Sequence, residues 1–373
     1  MSKEENRKNF SKYVSQNILG MIGFSCYVLA DSYFISIAKG ADGLTALNLV
    51  MPLYSIIFSI GEMIGVGSAI RYAISKIKKD ADADDYFWNA IIWCIMSSMI
   101  FVFAGIFFSS DIMRVLGADE HIVAVGNNYT KIFMCFAPMF MCNYVTNAFV
   151  RNDGAPGIAM SATLFSSLFN IVFDYILMFP MNLGMEGAAL ATALSPIIGM
   201  GICSIHFFSK KSSVRLVVCK PSVRKLVAGS QLGVSAFVGE MSSAVITLAF
   251  NFVILKLTGN VGVAAYGVVA NIAIVTTAVF NGVAQGSQPL ISSCFGRGDK
   301  DGCTQLKRMG YTTAFVLAAV MYSILFIFAE QFVAVFNSEG SEMLRLYATE
   351  GVKLYFIGIF FAGINIVGGG AFS

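Results

Sequence analysis

The feature that most constrains this chain is a series of ten long apolar stretches. Each holds about 20 or more mostly apolar residues, the length that an α-helix needs to cross a bilayer. They span 13–38, 44–75, 86–108, 122–150, 158–179, 185–208, 226–257, 263–294, 309–336 and 346–372. The alternating ten-residue segments of a membrane barrel do not occur, so helices are the remaining way to span a membrane. We therefore expect an all-α polytopic membrane protein.

Composition excludes an ordinary soluble domain and gives no sign of an enzyme. Hydrophobic residues make up 57% of the chain and charged residues 13%, whereas soluble domains carry about 45–50% and about 25%. The sequence contains no HExxH, P-loop or Gly-x-Ser-x-Gly motif. Its eight cysteines are scattered, without a CxxC pair, which predicts neither a disulfide framework nor a metal site built on cysteine. We expect no enzymatic activity and no organic cofactor.

The basic residues predict the orientation of the chain. Nineteen of the 25 Lys and Arg residues lie in the N-terminal tail and in the loops after spans 2, 4, 6 and 8, against six on the opposite side. Loops rich in Lys and Arg stay in the cytoplasm. The sequence thus predicts a multi-pass protein of the cell membrane with a cytoplasmic N-terminus.

A weak internal repeat predicts two similar lobes. Residues 40–82 align with 259–301 at an offset of 219, and the Gly-Ser pair at 67–68 recurs at 286–287. The offset covers six spans, an even number, so the two copies run in the same direction across the membrane. We expect an N-terminal lobe (1–208, TM1–6), a cytoplasmic linker (209–225) and a C-terminal lobe (226–373, TM7–10). With six spans per lobe, we expect the last two of twelve helices to be missing from this chain.

Several polar side chains lie inside the apolar spans of the first lobe. Asn170 and Asp174 are four residues apart on span 5, which places them on one face of a helix at roughly 15 and 9 Å from its outer end. Asp31 in span 1 and Thr192 in span 6 lie at a similar depth, roughly 12 and 10 Å. Ionisable residues in membrane spans usually have a functional role. Oxygen ligands alone suit a shared proton or a hard cation such as Na⁺.

Other polar residues are weaker candidates. Glu240, midway along span 7, is the strongest acid of the second lobe. Glu62 in span 2 aligns with Asn281 in the repeat, so both positions are candidates to line a cleft between the lobes. For Arg151 and Asp153, in the turn after span 4, we expect structural roles.

Two segments together resemble the multidrug and toxic compound extrusion (MATE) family. One is LADSYFISIAKGADGLTALNLVMPLYSIIFSIGEMIGVGSAIRYAIS, and the other joins RNDGAPGIAM to FNIVFDYILMFPMNLGMEGAALATAL. The resemblance covers essentially the whole chain. It implies two six-helix lobes around a cleft that opens alternately to either side.

The resemblance also implies export of organic cations, often drugs, in exchange for H⁺ or Na⁺. The family's coupling residues match Asp31, Asn170, Asp174 and Thr192, and some members use a glutamate that matches Glu240. Those members also use an acid in the tenth helix, which this chain lacks between 353 and 373, and the first helix here has no proline. The alternative is a lipid-linked oligosaccharide flippase of the same superfamily, but the basic residues that would hold a pyrophosphate are nearly absent from mid-span positions. We expect a monomer in the bilayer that binds no nucleic acid.

Overall fold

The computed structural model describes residues 3–336 and 341–372, and nearly all of these are helical. The helices are α1 (Lys3–Lys78), α2 (Asp85–Val115), α3 (Glu120–Cys135), α4 (Ala137–Asn152), α5 (Pro156–Met178), α6 (Gly184–Phe207), α7 (Val223–Gly296), α8 (Lys300–Ile327), α9 (Ala329–Phe336), α10 (Glu342–Tyr355) and α11 (Ile359–Phe372). A 3₁₀ turn, Phe356–Gly358, joins α10 to α11. The described residues contain no strand, as the apolar pattern predicts.

Helix α1 consists of two arms that meet at a break. Gly40 has φ +59° and ψ −144°, a backbone conformation that only glycine adopts without steric cost. The first arm, Glu4–Gly40, and the second arm, Asp42–Lys78, are each long and apolar enough to cross a membrane. The expected spans 13–38 and 44–75 therefore correspond to two separate arms, which are divided at Gly40.

Helix α7 also turns back on itself. Phe250 and Tyr266 are sixteen residues apart, which a straight helix would convert into about 24 Å. Their rings instead stack with centroids 5.3 Å apart. The part of α7 before this turn, residues 223–264, is called its first arm below, and Ala265–Gly296 its second arm.

Eight described helices are long and apolar enough to span a membrane, and a ninth span arises if the bent pair α3–α4 is counted as one. The two members of that pair meet at an angle of 46°. Of the ten expected spans, 226–257 is not among these nine. It belongs to the first arm of α7, where several side chains between 247 and 264 lie outside the described set.

The repeat is visible where the two lobes touch. A Cβ atom at Gly67, on the second arm of α1, would lie 2.7 Å from Gly233 N on the first arm of α7. A Cβ atom at Gly286, on the second arm of α7, would lie 2.7 Å from Val14 Cα on the first arm of α1. Both pairs of positions are related by the offset of 219. The two inter-lobe crossings are therefore equivalent, and each depends on a glycine that lets the backbones approach closely.

Each lobe has its own hydrophobic core, and the lobes exchange helix ends. Phe10 and Val14 from the start of α1 belong to the core of the second lobe. Leu226 and Leu232 from the start of α7 pack against the core of the first lobe. We call this side of the bundle, with the start of α1 and the turns at 79–84, 153–155 and 297–299, the basic end. The side with Gly40 is the distal end.

The segment between α6 and α7, residues 208–222, is not helical and runs along the first lobe. Ser222 N donates to Asn89 Oδ1 at 2.7 Å, and Arg215 N donates to Asp84 Oδ1 at 3.2 Å. These bonds attach the segment to the residue that precedes α2 and to the first turns of α2. The division into lobes at 208 and 226 remains a prediction.

Candidate functional site

Helix packing in the first lobe gathers the four predicted coupling residues. Asp31 lies on the first arm of α1, Asn170 and Asp174 on α5, and Thr192 on α6. The four are at most 6% exposed, and Asn170 and Asp174 are fully buried. Close packing of α5 on α6 depends on Gly187, where a Cβ atom would lie 2.9 Å from Met178 N.

The Asn170 amide links the two polar residues on either side of it. In the orientation that pairs donors with acceptors, Nδ2 donates to Asp174 Oδ2 at 3.0 Å. The amide oxygen then accepts from Thr192 Oγ1 and from Thr192 N, both at 3.2 Å. One hydrogen-bonded chain thus runs from α6 through Asn170 to the Asp174 carboxyl group.

Two carboxylate oxygens of this site lack a hydrogen-bond partner. Asp31 Oδ1 and Asp174 Oδ1 are both buried, and neither accepts a hydrogen bond in the structure. The two carboxyl groups are close enough to interact electrostatically. A buried polar atom without a partner is costly. Proton or cation binding would relieve that cost, because it satisfies the oxygens and removes the repulsion between like charges.

The donor set fits a proton or a hard monovalent cation better than a transition metal. The site offers carboxylate, carboxamide and hydroxyl oxygens, which hard cations prefer. Within residues 3–336 and 341–372, no group of three or more His, Cys, Asp and Glu side chains is arranged to hold a metal ion.

Three tyrosines surround the acids, and sequence analysis did not single them out. Tyr27, Tyr54 and Tyr129 all lie within electrostatic range of Asp31 and Asp174. The hydroxyls of Tyr54 and Tyr129 form a short hydrogen bond with each other. The ring of Tyr54 stacks on Phe133 with centroids 3.7 Å apart. In the sequence these tyrosines resemble ordinary core aromatic residues. Only Tyr27 could have been linked to the site, because it lies four residues before Asp31 and thus on the same face of the helix.

A second pair of acids spans the lobes. Glu62 on the second arm of α1 and Glu240 on the first arm of α7 are half-buried and interact electrostatically. Tyr144 on α4 lies within range of both. Asn281, at the repeat position that matches Glu62, is half-buried on the second arm of α7. The acids therefore form two groups, one inside the first lobe and one between the lobes.

Asp153 anchors the inter-lobe segment to the basic end. This carboxylate is 2% exposed and accepts from His206 Nε2 at 2.8 Å and from Ser213 N at 2.9 Å. Tyr72 and the hydroxyls of Ser212 and Ser213 also donate to it. The structure thus gives Asp153 the structural role that its place in a turn predicts.

Charged pairs at the two ends of the bundle lie outside the spans. At the distal end, the hydrogen bond that His121 Nε2 donates to Asp42 Oδ2 at 2.9 Å raises the pKa of the exposed His121. At the basic end, the hydrogen bond that Lys225 donates to Asp82 lowers the pKa of Asp82. Lys225 also pairs with Asp85, so the start of α7 is held against the start of α2.

Family comparison agrees with this architecture. The model of the MatE family matches residues 17–176 and 236–373. These ranges include three of the four residues of the first-lobe site, and Thr192 lies between them. The chain belongs to the MatE family. The two matched ranges contain helices of both lobes, which agrees with a multi-pass membrane protein.

Two curated relatives carry the same name. The multidrug export protein MepA of Staphylococcus aureus (strain MRSA252) is 28% identical over 336 residues, which cover 89% of this chain and 72% of MepA. MepA of Staphylococcus saprophyticus is 26% identical over 361 residues, or 93% of this chain and 78% of that protein.

Solved structures share the fold of this MatE chain. A MOP superfamily transporter from Pyrococcus furiosus, described as having a binding pocket of reverse polarity, superposes with a TM-score of 0.87 at 20% identity. A multidrug resistance MATE family transporter in an outward-facing conformation gives 0.86 at 20% identity. Both matches cover 98% of this chain and 84% of the other chain.

Proposed function

We propose that this protein is a secondary active antiporter that exports organic cations, drugs among them, in exchange for H⁺ or Na⁺. One observation carries the proposal. Asp31 and Asp174 are buried in one lobe, close enough to interact, and each has an oxygen without a hydrogen-bond partner. Such a pair favours the binding of one proton or one small cation, which is the step that coupling needs.

Asn170 and Thr192 have a supporting role in this proposal. The amide holds Asp174 Oδ2, so that Oδ1 is the oxygen left for the ion. Thr192 fixes the amide in turn. If Na⁺ is the coupling ion, Asp31, Asn170, Asp174 and Thr192 are its proposed ligands. Ion and substrate must prefer different conformations, because a ligand that binds both conformations equally shifts nothing.

The substrate would occupy the cleft between the lobes. Glu62 and Glu240 supply negative charge there, and Tyr144 supplies an aromatic face nearby. A cation over an aromatic ring gains further attraction. The MepA relatives are multidrug export proteins, which supports a broad range of substrates. Asn281 would complete the lining on the side opposite Glu62.

The orientation follows from the charges of the loops. The basic end would face the cytoplasm, because it carries the excess of Lys and Arg. The close inter-lobe crossings at Gly67 and Gly286 lie near that end, so the described conformation would open toward the outside of the cell membrane. We propose that the monomer is the transporting unit.

Energised efflux of ethidium tests the proposal. The protein would be expressed in cells that lack their own drug pumps, and wild type would be compared with Asp174→Asn. Asp80→Asn, in an exposed loop of the same chain, is the matched control. Membrane vesicles with a proton gradient alone or a Na⁺ gradient alone then identify the ion.

We expect wild type and Asp80→Asn to export ethidium and Asp174→Asn to lose export while it still reaches the membrane. Equal export by all three variants would show that Asp174 does not couple transport. Absence of ethidium export from a wild type that reaches the membrane would count against organic cations as substrates. The lipid-linked oligosaccharide flippase would then be tested directly with a fluorescent lipid-linked sugar.

A further inference from the structure

A polar cluster lies at the centre of one of the two inter-lobe crossings. There the second arm of α7 crosses the first arm of α1. A Cβ atom at Gly282 would lie 2.7 Å from Ile18 N, and one at Gly286 would lie 2.7 Å from Val14 Cα. Gln285 lies between the two glycines, and Asn17 lies between the two residues that face them. Their side chains are therefore placed where the backbones of the two lobes come closest.

Arg151 reaches this crossing from the end of α4. Its Nη1 donates to Asn17 Oδ1 at 3.3 Å and, in a short hydrogen bond, to Gln285 Oε1. The Asn17 amide is oriented by its own helix, because Nδ2 donates to Tyr13 O at 2.8 Å. One guanidinium group thus connects α4 and α1 of the first lobe with α7 of the second.

The buried charge of Arg151 is only partly satisfied by its neighbours. Arg151 is 4% exposed, and its Nε has no hydrogen-bond partner. The partners of Nη1 are neutral amides, and Glu62 is the acid whose charge acts on it. A buried charge with incomplete pairing contributes little net stability. Such an arrangement suits a contact that forms in one conformation and breaks in another.

The second crossing shows that packing alone does not require these polar groups. By the offset of 219, the equivalents of Asn17 and Gln285 are Ala236 and Val66, which are both apolar. That crossing closes through Gly67 and Gly233 without an equivalent polar contact at these two positions. The polar cluster is therefore an addition to one of two otherwise similar contacts.

We propose that Arg151 is a latch that holds the basic end closed by joining Asn17 to Gln285 across the lobes. This inference depends on one part of the proposed transport cycle, namely that the lobes separate at the basic end. When they separate, water replaces Gln285 as an acceptor, so the charged group is not left without partners. An apolar seal would instead expose hydrophobic surface at each opening.

Distance measurements between spin labels test the latch. Labels would be placed at Lys78→Cys in the first lobe and Lys300→Cys in the second, both exposed at the basic end, with the native cysteines replaced. The full chain would be measured in lipid nanodiscs, without substrate or ion gradient. The result is therefore independent of whether ethidium efflux occurs.

We expect Arg151→Gln and Gln285→Leu each to raise the ratio of open to closed distances by on the order of tenfold, the value of one hydrogen bond to a charged group. The double variant should shift no further than the single ones. Arg151→Lys should shift less than Arg151→Gln, because the ammonium group still donates. Gln16→Leu, the same chemical change beside Asn17, should match wild type.

Two results would overturn the latch. One is a wild-type distance distribution in Gln285→Leu. The other is a double variant whose shift equals the product of the two single shifts, which would mean that Arg151 and Gln285 act independently. If Arg151→Gln does not fold, Gln285→Leu decides the question by itself.

Discussion

Asn170 and Asp174 lie one turn apart on α5, and the Asn170 amide donates to Asp174 Oδ2 at 3.0 Å. The bond uses one of the two carboxylate oxygens and leaves Oδ1 without a partner. It therefore determines which oxygen remains available for a proton or a cation. The contribution of Thr192 is indirect, because it holds the Asn170 amide and not the acid.

Removal of these two supports should have effects of different size. Asn170→Leu deprives Asp174 of its donor, a loss of about 1.5–3 kcal/mol for a bond to a charged group. Thr192→Val removes only a neutral hydroxyl bond, worth about 1 kcal/mol, and the backbone N of residue 192 still holds the amide. Initial rates of energised ethidium efflux at a limiting ion gradient should thus fall more in Asn170→Leu than in Thr192→Val.

The matched control for the threonine change is Thr304→Val, since Thr304 is exposed and bonds to its own helix. Its efflux rate should equal that of wild type. Equal rates in wild type and Asn170→Leu would contradict a role for the amide in coupling.

Much of this fold follows from the sequence, because the bilayer allows few alternatives. Apolar stretches of sufficient length predict helices, and the even number of spans in the repeat predicts two copies that run in the same direction across the membrane. The turn sequence KGADG predicts that one span ends and the next begins there, and the structure has a break at that place because Gly40 adopts a non-helical backbone conformation. Among the residues that the structure describes, the expected span 226–257 is not one of the helices long and apolar enough to cross a membrane.

The site was predictable to the extent that polar residues are rare in the spans. Asp31, Asn170, Asp174 and Thr192 stand out because they interrupt apolar stretches at similar depths, and the packing of three helices gathers them. Tyr54 and Tyr129 do not stand out, since a buried tyrosine resembles any core aromatic until its partner is known. The place of Arg151 in the turn RNDGAPG predicts a structural role, and nothing in that sequence indicates Gln285, 134 residues away, as its partner.

Gly67 should tolerate no side chain. A Cβ atom there would lie 2.7 Å from the backbone N of Gly233, and backbone atoms cannot move aside as a flexible side chain can. We expect Gly67→Ala to lower the stability of the purified protein by about 1–3 kcal/mol, the usual cost of overpacking. Thermal unfolding in detergent would measure the change.

Gly201→Ala provides the comparison for Gly67→Ala. Gly201 is exposed on α6, and a Cβ atom there would meet nothing within 4 Å. Because alanine is the better helix former, the melting temperature should stay the same or rise slightly. An equal loss in both variants would mean that the crossing at Gly67 is looser than described.

His121 should report the pairing at the distal end. Asp42 raises the pKa of His121; the pair is therefore formed below the ordinary pKa of histidine, about 6.5, and is lost as pH rises through the raised pKa. The chain has only two histidines, so a histidine-labelled NMR titration resolves each. Asp42→Asn should lower the pKa of His121.

The control for that titration is Asp119→Asn, since the charge of Asp119 also raises the pKa of His121 but less than Asp42 does. It should change the titration less than Asp42→Asn does. Because the pair is exposed, its effect on stability should be small and should weaken with salt. An unchanged His121 pKa in Asp42→Asn would show that the two side chains do not pair in the membrane-embedded protein.

Asp153→Ala should free the inter-lobe segment 208–222. Without this carboxylate, the buried His206 Nε2 loses its acceptor at a cost of about 1–3 kcal/mol, and the exposed Ser213 exchanges its bond to Asp153 for one to water. Trypsin cleaves after Lys210, Lys211 and Arg215, all exposed within the segment, and its rate follows the population of the open form. Cleavage should therefore be much faster in Asp153→Ala than in wild type or in Asp80→Ala. A wild-type rate in Asp153→Ala would mean that the bonds from Ser222 to Asn89 and from Arg215 to Asp84 hold the segment by themselves.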